Sequence, residues 1–306
     1  MQNIDETVKK TGLGTRYGNT TKLNSYYRRI RRIKLGLSYL ALTIICIYSI
    51  FPIYYIFLTS LSPLANLTST NFSTLLPFHD YYSFANYYNI IFKNPFPTWL
   101  ENTLILTGTS TLIGVGLSIT TGIAFSRYRI PGKRALLYML LVLSMFPFTI
   151  MVIPFYFMFS QLHLLDTYIG LIIPYSAGAV IFSSWLIKNY VDNLPRDYEE
   201  AATLDGYSRT GALFRVLVPM AKPAILLAVV LAFMGPYTDY ALAGQFITSP
   251  KLYTMAIGMY YISQGTITVN YGVYSAFAIL MGIPIFILFF FFQKYIVAGF
   301  SIATYK

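Results

Sequence analysis

The chain has 306 residues, of which 56% are apolar and only 11% are charged, and its mean hydropathy is +0.57. Soluble domains usually carry about a quarter charged residues, so this composition excludes an ordinary soluble protein and predicts a chain that lies in a lipid bilayer. Cys46 is the single cysteine, which excludes an intrachain disulfide. No metal site is predicted, because Cys46, His79 and His163 would have to converge from three separate segments.

Long stretches without charge indicate the membrane spans. A helix needs about 20 apolar residues to cross about 30 Å of hydrocarbon. The sequence therefore predicts an all-α membrane protein with six transmembrane helices, at about residues 35–58, 102–126, 135–160, 169–187, 223–243 and 271–292. Residues 1–25 form a polar arm that is expected to be disordered. The membrane domain then covers residues 26–306, with a polar loop at 188–222 and a tail at 293–306.

Lysine and arginine are divided unevenly between the loops. All but Lys93 and Lys251 of the 22 basic residues lie in the amino-terminal arm, in the loops at 127–134 and 188–222, or in the tail. The positive-inside rule then predicts that both termini and the loop at 188–222 lie in the cytoplasm. An anionic inner leaflet beside these residues accounts for the net charge of +11, so no nucleic-acid partner is predicted.

The loop at 188–222 contains a helix–turn–helix pattern between two apolar spans. Glu200-Ala201-Ala202 is followed after three residues by Gly206 and, after nine more, by Val216-Leu217-Val218-Pro219. This spacing is similar to the signature of importer permeases of the ATP-binding-cassette (ABC) class, which have Ile and Leu at the positions of Val216 and Val218. Gly206 permits a backbone turn that a Cβ atom would resist, so two short helices are expected to form a rigid knob. The alternative is an amphipathic helix on the membrane surface.

Three further segments resemble the same class. Residues 99–103 resemble the start of the second span of sugar permeases, and residues 124–133 resemble their second cytoplasmic loop. Residues 293–301 resemble the tail of the G-type membrane subunit of the maltose importer. From about residue 35 to the end, the chain is similar to a permease subunit of a carbohydrate ABC importer, in the family of binding-protein-dependent transport inner membrane components with a MetI-like core.

The resemblance implies a non-catalytic subunit of a heteromeric complex in the cell membrane. Its implied partners are a second permease, a dimer of ATPase subunits that bind ATP and Mg, and an extracellular solute-binding protein. The chain has no Gly-x4-Gly-Lys-Ser/Thr loop of its own for ATP phosphates, so no cofactor is expected on it. The implied cargo is maltose, a maltodextrin, trehalose or a related oligosaccharide, and the alternative is a monosaccharide or a glycerol phosphate.

The resemblance assigns coupling to the ATPase to the knob. Exposed ion pairs contribute only about 0–1 kcal/mol, so packing of Ala201, Ala202, Leu204 and Phe214 is expected to dominate docking. The residues assigned to coupling are Glu199, Glu200, Ala201, Ala202, Leu204, Asp205, Gly206, Arg209, Phe214, Arg215 and Pro219. Arg209 or Arg215 is a candidate partner for acidic groups on the ATPase, and Glu200 for a basic group. By resemblance, Gly299, Phe300, Ser301 and Lys306 of the tail lie at the ATPase interface.

Polar residues in the spans are candidates for the solute pathway. Asp239 lies 16 residues beyond Pro223, about 24 Å along a helix, and either lines an outer vestibule with Tyr237 and Tyr240 or ends the helix. The other candidates are Asn102, Ser144, Tyr175 and Ser176. Polar residues in spans are equally often contacts between helices, so both interpretations stay open.

The external segments are candidates for contact with the binding protein. The long loop at about 244–270 corresponds, by resemblance, to the loop that enters the binding protein, where Gln245, Tyr260, Tyr261 and Gln264 are the candidate contacts. Membrane-interface tyrosines are an equally open interpretation of Tyr260 and Tyr261. Asn66 and Asn71 fit the N-glycosylation pattern on the same side.

Two other classes of function are disfavoured. A secondary transporter usually carries ionisable residues inside the membrane or inverted repeats, and the spans show almost none of the former and no visible repeat. A membrane enzyme needs a catalytic constellation, and the spans hold no paired carboxylates.

Overall fold

The computed structural model describes residues 13–62, 82–264 and 270–303, and all regular secondary structure in those ranges is helical. The chain divides into two units, Met1–Leu58 and Thr59–Lys306. The first unit consists of helix α1, Leu13–Leu61, up to Leu58. Its portion Arg31–Leu61 has a mean hydropathy of 2.1 and is long enough to cross a membrane. Residues 13–25, expected to be disordered, are helical here, because a helix that has already nucleated extends at little cost.

The second unit contains the remaining helices. They are α2 Ala85–Lys93, α3 Phe96–Arg127, α4 Lys133–Met145, α5 Val152–Gln161, α6 Tyr168–Asp192, α7 Asp197–Leu204, α8 Arg209–Met220, α9 Lys222–Thr238, α10 Ala243–Phe246, α11 Met255–Gln264 and α12 Tyr271–Ala303. By length and composition, α1, α3, α6 and α12 can cross a membrane. Counting the bent pairs α4–α5 and α8–α9 as one span each gives up to six spans.

The third predicted span is broken, contrary to the prediction of one helix over 135–160. α4 and α5 meet at 84° around a short 3-10 turn, Phe148–Met151. Pro147 has no N–H and disfavours helical backbone at the residue before it, and Phe146 is accordingly extended with ψ 125°. The break therefore follows from the proline.

The fifth predicted span is shorter than the expected 223–243. α9 ends at Thr238, and Asp239 is extended with φ −74° and ψ 122°. The Asp239 carboxylate accepts hydrogen bonds from the N–H groups of Leu242 and Ala243, at 3.0 and 3.3 Å. Because these bonds satisfy the first N–H groups of the next turn, the chain stops one helix and starts another here.

α3 and α6 form the centre of the second unit and run parallel. Ser126 at the end of α3 donates to Asp192 at the end of α6, and Asn102 near the start of α3 accepts from Tyr168 at the start of α6, both at 2.6 Å. We call these the Arg127 end and the Tyr168 end of the unit. Since α3 finishes at one end and α6 starts at the other, the bent pair α4–α5 connects the two ends as a single crossing would.

Small residues let α3 and α6 approach closely. Ser110, Gly114, Ser118 and Gly122 recur every fourth residue on the buried face of α3. A Cβ atom on Gly114 would lie 2.6 Å from that of Ala179. Interfaces of small residues are typical of packed helices in membranes.

Candidate functional site

The knob predicted at Gly206 is present as α7 and α8. Gly206 has φ +90°, a conformation that side chains with a Cβ atom rarely adopt. The N–H of Gly206 donates to the Thr203 carbonyl at 3.1 Å, and that of Tyr207 donates to the Ala202 carbonyl at 3.0 Å. This is the Schellman pattern of helix termination, in which the left-handed residue lets two otherwise unpaired carbonyls be satisfied. We call Asp197–Met220 the coupling element.

One face of the coupling element is buried against the rest of its own unit. Leu213 and Leu217 of α8 belong to one apolar cluster with Ile123 of α3 and with Ile187 and Val191 of α6. This packing ties α8 to the Arg127 ends of α3 and α6. A displacement of the coupling element would therefore move these two helices with it.

Other side chains of the coupling element are exposed, and two of them are large and apolar. Leu204 is 89% exposed and Phe214 55% exposed, and Ala201, Glu200 and Arg209 are also exposed. Large exposed apolar side chains of this kind mark contact surfaces. A cavity of about 480 Å³ opens beside Leu204, Glu200 and Arg209. Arg215 is exposed as well and lies over the Tyr207 ring, with Cζ 5.6 Å from its centroid.

Two residues assigned to docking turn inward instead. Ala202 is 6% exposed, and Glu199 forms an ion pair with Arg127 of α3. Positions three apart on a helix share a face, so residues 199 and 202 point into the protein while residues 200, 201 and 204 point out. Ala202 therefore lies on the inner side of α7 and Glu199 pairs within this chain, and their assignment to docking stays a prediction.

Arg127 is the centre of a polar network that the sequence did not reveal. Its side chain is 7% exposed and that of Glu199 is 18% exposed. Arg127 also donates to the carbonyl of Leu194 at 3.0 Å. Next to it, Asp192 accepts from Ser126 at 2.6 Å and pairs with Lys188 at 2.6 Å. The network therefore joins α3, the end of α6 and the start of the coupling element.

Several pathway candidates are held by contacts between segments. Asn102 is 4% exposed and donates to the carbonyls of Lys251 and Tyr253 at 2.8 and 2.9 Å. Ser176 is buried and donates to the Ser110 carbonyl, and Ser144 donates to the Leu141 carbonyl of its own helix. For Asn102 and Ser176 the structure supports the helix-contact interpretation.

The three aromatic and acidic candidates around α9 separate in the structure. Tyr237 is fully buried and donates to the Met281 carbonyl at 2.8 Å, so its ring does not face a vestibule as proposed. Tyr175 donates to Asp239 at 2.6 Å, and both line a cavity of about 330 Å³ between α6 and α9. Asp239 therefore ends its helix and borders a cavity at the same time. Tyr240 is 37% exposed and does not line this cavity.

The segment expected as a loop at 244–270 is largely helical where it is described. α11 packs on Trp99, since a Cβ atom on Gly258 would lie 2.3 Å from that ring. Tyr260 and Tyr261 remain exposed, as do Gln245 and Gln264. The Tyr240 and Tyr260 ring centroids are 4.5 Å apart, so two residues assigned to different sites form one aromatic pair.

Asp166 fastens this segment to the loop before α6. Its carboxylate accepts from the Ser249 hydroxyl and from the N–H groups of Ser249 and Thr248, at 2.9 and 3.0 Å for the latter two. The Ser249 hydroxyl bond, together with the backbone donors, holds the pKa of Asp166 below its ordinary value, although burial opposes this shift.

The remaining candidates lie in the carboxy-terminal helix or outside the described residues. The helix that contains Gly299, Phe300 and Ser301 extends to Ala303, whereas Lys306, His79, Asn66 and Asn71 lie outside the described residues. Within the described residues, no group of three or more His, Cys, Asp or Glu side chains could hold a metal ion.

Comparison with known proteins decides the family. The model of the binding-protein-dependent transport system inner membrane component matches residues 114–302, more than half of the chain. The chain belongs to this family. The match includes the whole coupling element and the Arg127 network, so these features lie in the part that defines the family.

Curated relatives of this permease include sugar transport permeases. The maltodextrin transport system permease protein of Streptococcus pneumoniae is 28% identical over 90% of this chain and 97% of that relative. The maltose/maltodextrin permease of Vibrio vulnificus is 32% identical over 69% and 74%. The trehalose/maltose permease of Thermococcus litoralis is 28% identical over 90% and 98%.

Solved structures show the same fold. A bacterial ABC transporter that imports the acidic polysaccharide alginate matches with a TM-score of 0.72 at 24% identity, over 87% of this permease and 97% of that chain. An inward-facing methionine ABC transporter matches with a TM-score of 0.52 at 20% identity, over 66% and 94%. The all-α fold of this permease is therefore that of ABC importer permeases.

Sequence reasoning missed Arg127, Asp166 and Trp99. Arg127 entered only as a basic residue within the resembling segment 124–133, and Asp166, in a short loop between apolar segments, was given no role. Trp99 appeared only as part of a resembling segment, and no local pattern shows its contact with Gly258, which lies far away in the sequence.

Proposed function

We propose that this permease is the membrane subunit of an ATP-driven, binding-protein-dependent importer of oligosaccharides of the maltodextrin, galactooligosaccharide or trehalose type. The relatives that cover nine tenths of this chain transport sugars of these kinds. The described external segments also carry few charges, with Lys93 and Lys251 as their basic residues, which favours a neutral solute.

The coupling element is the observation that carries this proposal. Its inner face is fixed to α3 and α6 by Leu213, Leu217 and the Arg127–Glu199 pair, and its outer face exposes Leu204 and Phe214. An element held rigidly on one side and apolar on the other is suited to receive force from a soluble partner. When the two ATPase subunits close on ATP, each coupling element moves, and the spans attached to it tilt between inward-facing and outward-facing arrangements.

The proposed assembly contains a second related permease, two ATPase subunits that hold ATP and Mg, and an extracellular solute-binding protein. In this proposal both termini and the coupling element lie in the cytoplasm, because the loops at 127–134 and 188–222 are rich in lysine and arginine. The exposed pair Tyr240 and Tyr260, with Gln245 and Gln264, then faces the binding protein at the other side. The cavity at Tyr175 and Asp239 is the proposed contact of this subunit with solute.

A single substitution tests the docking surface. Leu204→Ser removes an apolar side chain whose burial against a partner contributes about 1.5–3 kcal/mol, so ATPase binding should weaken by about 10-fold to 150-fold. Leu162→Ser is the matched control, because Leu162 is 58% exposed in the loop after α5. Binding is measured by co-purification with the ATPase and by stimulated ATP hydrolysis in proteoliposomes.

The outcomes separate the proposal from its alternatives. Equal losses of ATPase binding for Leu204→Ser and Leu162→Ser would show that the coupling element is not the docking surface. Uptake of solute by this permease alone, without an ATPase, would indicate a secondary transporter. The cargo is tested by measuring which of maltotriose, trehalose, glucose and glycerol phosphate binds the cognate solute-binding protein, and preference for the last two would overturn the oligosaccharide assignment.

A further inference from the structure

The turn between α3 and α4 encloses a cavity of about 540 Å³ whose charged lining is entirely basic. Its five cations are Arg127, Arg129, Lys133, Arg134 and Arg196. Gly132 has φ +70° and reverses the chain within the turn, which brings Arg129 and Lys133 to the same cavity. Residues from the loop after α6 complete the wall through Arg196.

Four of these five cations form no ion pair within the described residues. Two carboxylates near this region, Glu199 and Asp192, are already paired with Arg127 and Lys188, and Lys133 interacts with Asp192 only through its charge, without an ion-pair contact. Arg129, Lys133, Arg134 and Arg196 form no ion pair in the described part of the chain. Four like charges around one cavity repel one another, so an anion that bridges them is bound favourably.

The surface next to the cavity is apolar and open. α4 starts at Lys133 and buries none of its side chains. Tyr138 is 70% exposed, and Met139 and Val142 are each 53% exposed. The basic cavity thus lies at the start of a helix whose exposed side chains are suited to hydrocarbon, which is where a lipid headgroup would meet the end of a span.

We propose that this cavity binds the phosphate headgroup of an anionic phospholipid, whose acyl chains lie along α4. Guanidinium groups of Arg129 and Arg134 can each bind phosphate oxygens in pairs, and Lys133 adds a point charge. Tyr128 is 43% exposed in the lining and offers a hydroxyl for the glycerol of the headgroup. A lipid is the favoured occupant because its acyl chains would cover the exposed apolar side chains of α4, whereas a soluble anion would leave them uncovered.

The same turn adjoins the Arg127–Glu199 pair, so a lipid here would stabilise the region that holds the coupling element. The inference uses the proposed cytoplasmic placement only to choose the leaflet. Its test needs no ATPase and no solute, and its failure would leave the proposed function untouched.

The test compares two triple variants of the full chain, purified in a mild detergent. The site variant carries Arg129→Gln, Lys133→Gln and Arg134→Gln. The control variant carries Arg29→Gln, Arg31→Gln and Arg32→Gln, which removes equal charge from the amino-terminal arm. Binding of added phosphatidylglycerol and phosphatidylcholine is measured by native mass spectrometry.

We expect the wild type and the control variant to bind phosphatidylglycerol in preference to phosphatidylcholine. The site variant should bind phosphatidylglycerol about 100-fold more weakly, because each of the three cations that it lacks contributes about 1 kcal/mol. A charge-retaining variant, Arg129→Lys with Arg134→Lys, should lose less binding than the site variant, because it keeps the positive charges but not the paired guanidinium hydrogen bonds, and its remaining binding shows that the turn still folds.

Three results would overturn the proposal. Equal losses in the site and control variants would mean general attraction of anionic lipid to basic residues. Equal binding of the two lipids by the wild type would exclude headgroup recognition. Displacement of phosphatidylglycerol by an excess of added inorganic phosphate would assign the cavity to a soluble anion instead.

Discussion

Replacing Arg127 by methionine isolates the ion pair that holds the coupling element. The substitution keeps an apolar stem of similar length but removes the cation from Glu199 and the donor from the Leu194 carbonyl. Loss of one partner costs about 3–5 kcal/mol in a fully buried pair, whereas exposed pairs contribute about 0–1 kcal/mol. With side chains 7% and 18% exposed, an intermediate cost of about 2–3 kcal/mol in the free energy of unfolding is expected.

The assay is a double-mutant cycle with Glu199→Gln, followed by unfolding in mixed detergent micelles with circular dichroism as the signal. The double variant should be little worse than Arg127→Met alone, because the second change no longer removes a pair, and the coupling energy should be about 1–2 kcal/mol. Arg215→Met is the matched control, since Arg215 is exposed over the Tyr207 ring and should cost less than about 1 kcal/mol. Additive losses, or a cost for Arg127→Met no larger than for Arg215→Met, would refute the reasoning.

Three further predictions concern backbone and capping. Gly258→Ala should lower the thermal midpoint of unfolding, because the added Cβ atom would overlap the Trp99 ring. Gly108→Ala is the control: its Cβ atom would meet nothing within 4 Å, so the midpoint should stay the same or rise. Equal effects of the two substitutions would contradict this packing. Asp166→Asn should destabilise the protein above pH about 4. The difference in stability from the wild type should vanish as the pH falls through the lowered pKa of Asp166, because the wild-type carboxylate is then protonated as well. A stability difference that persists at lower pH would exclude this carboxylate as the cause. Gly206→Ala should cost about 1–2 kcal/mol in unfolding experiments, because the position is open but has φ +90°, and a neutral result would contradict the strain argument.

The features that the sequence predicted are those that depend on neighbouring residues. Apolar runs longer than the bilayer predicted the spans, and the spacing around Gly206 predicted two helices joined by a left-handed turn, which the structure contains. The break at Pro147 was also readable from local rules, because proline restricts its own residue and the preceding one. The prediction of one continuous span there gave more weight to charge gaps than to the proline.

The roles of individual polar residues could not be read in this way. Asn102 bonds to the carbonyl of Lys251, 149 residues away, and Tyr237 bonds to that of Met281 on another helix. Within α7, the sequence treated Glu199 and Ala202 as docking residues, but which face of a short helix turns inward depends on what packs beside it.

The sequence alone therefore determined that this chain is an all-helical membrane protein, and where its coupling element lies, because hydrophobic length and turn chemistry are local properties. The tertiary structure decided which side chains of that element are exposed, which polar groups join the helices, and where four cations that form no ion pair in the described residues line one cavity. Each of these depends on contacts between distant segments, and the free energy of such contacts exists only once the helices have packed.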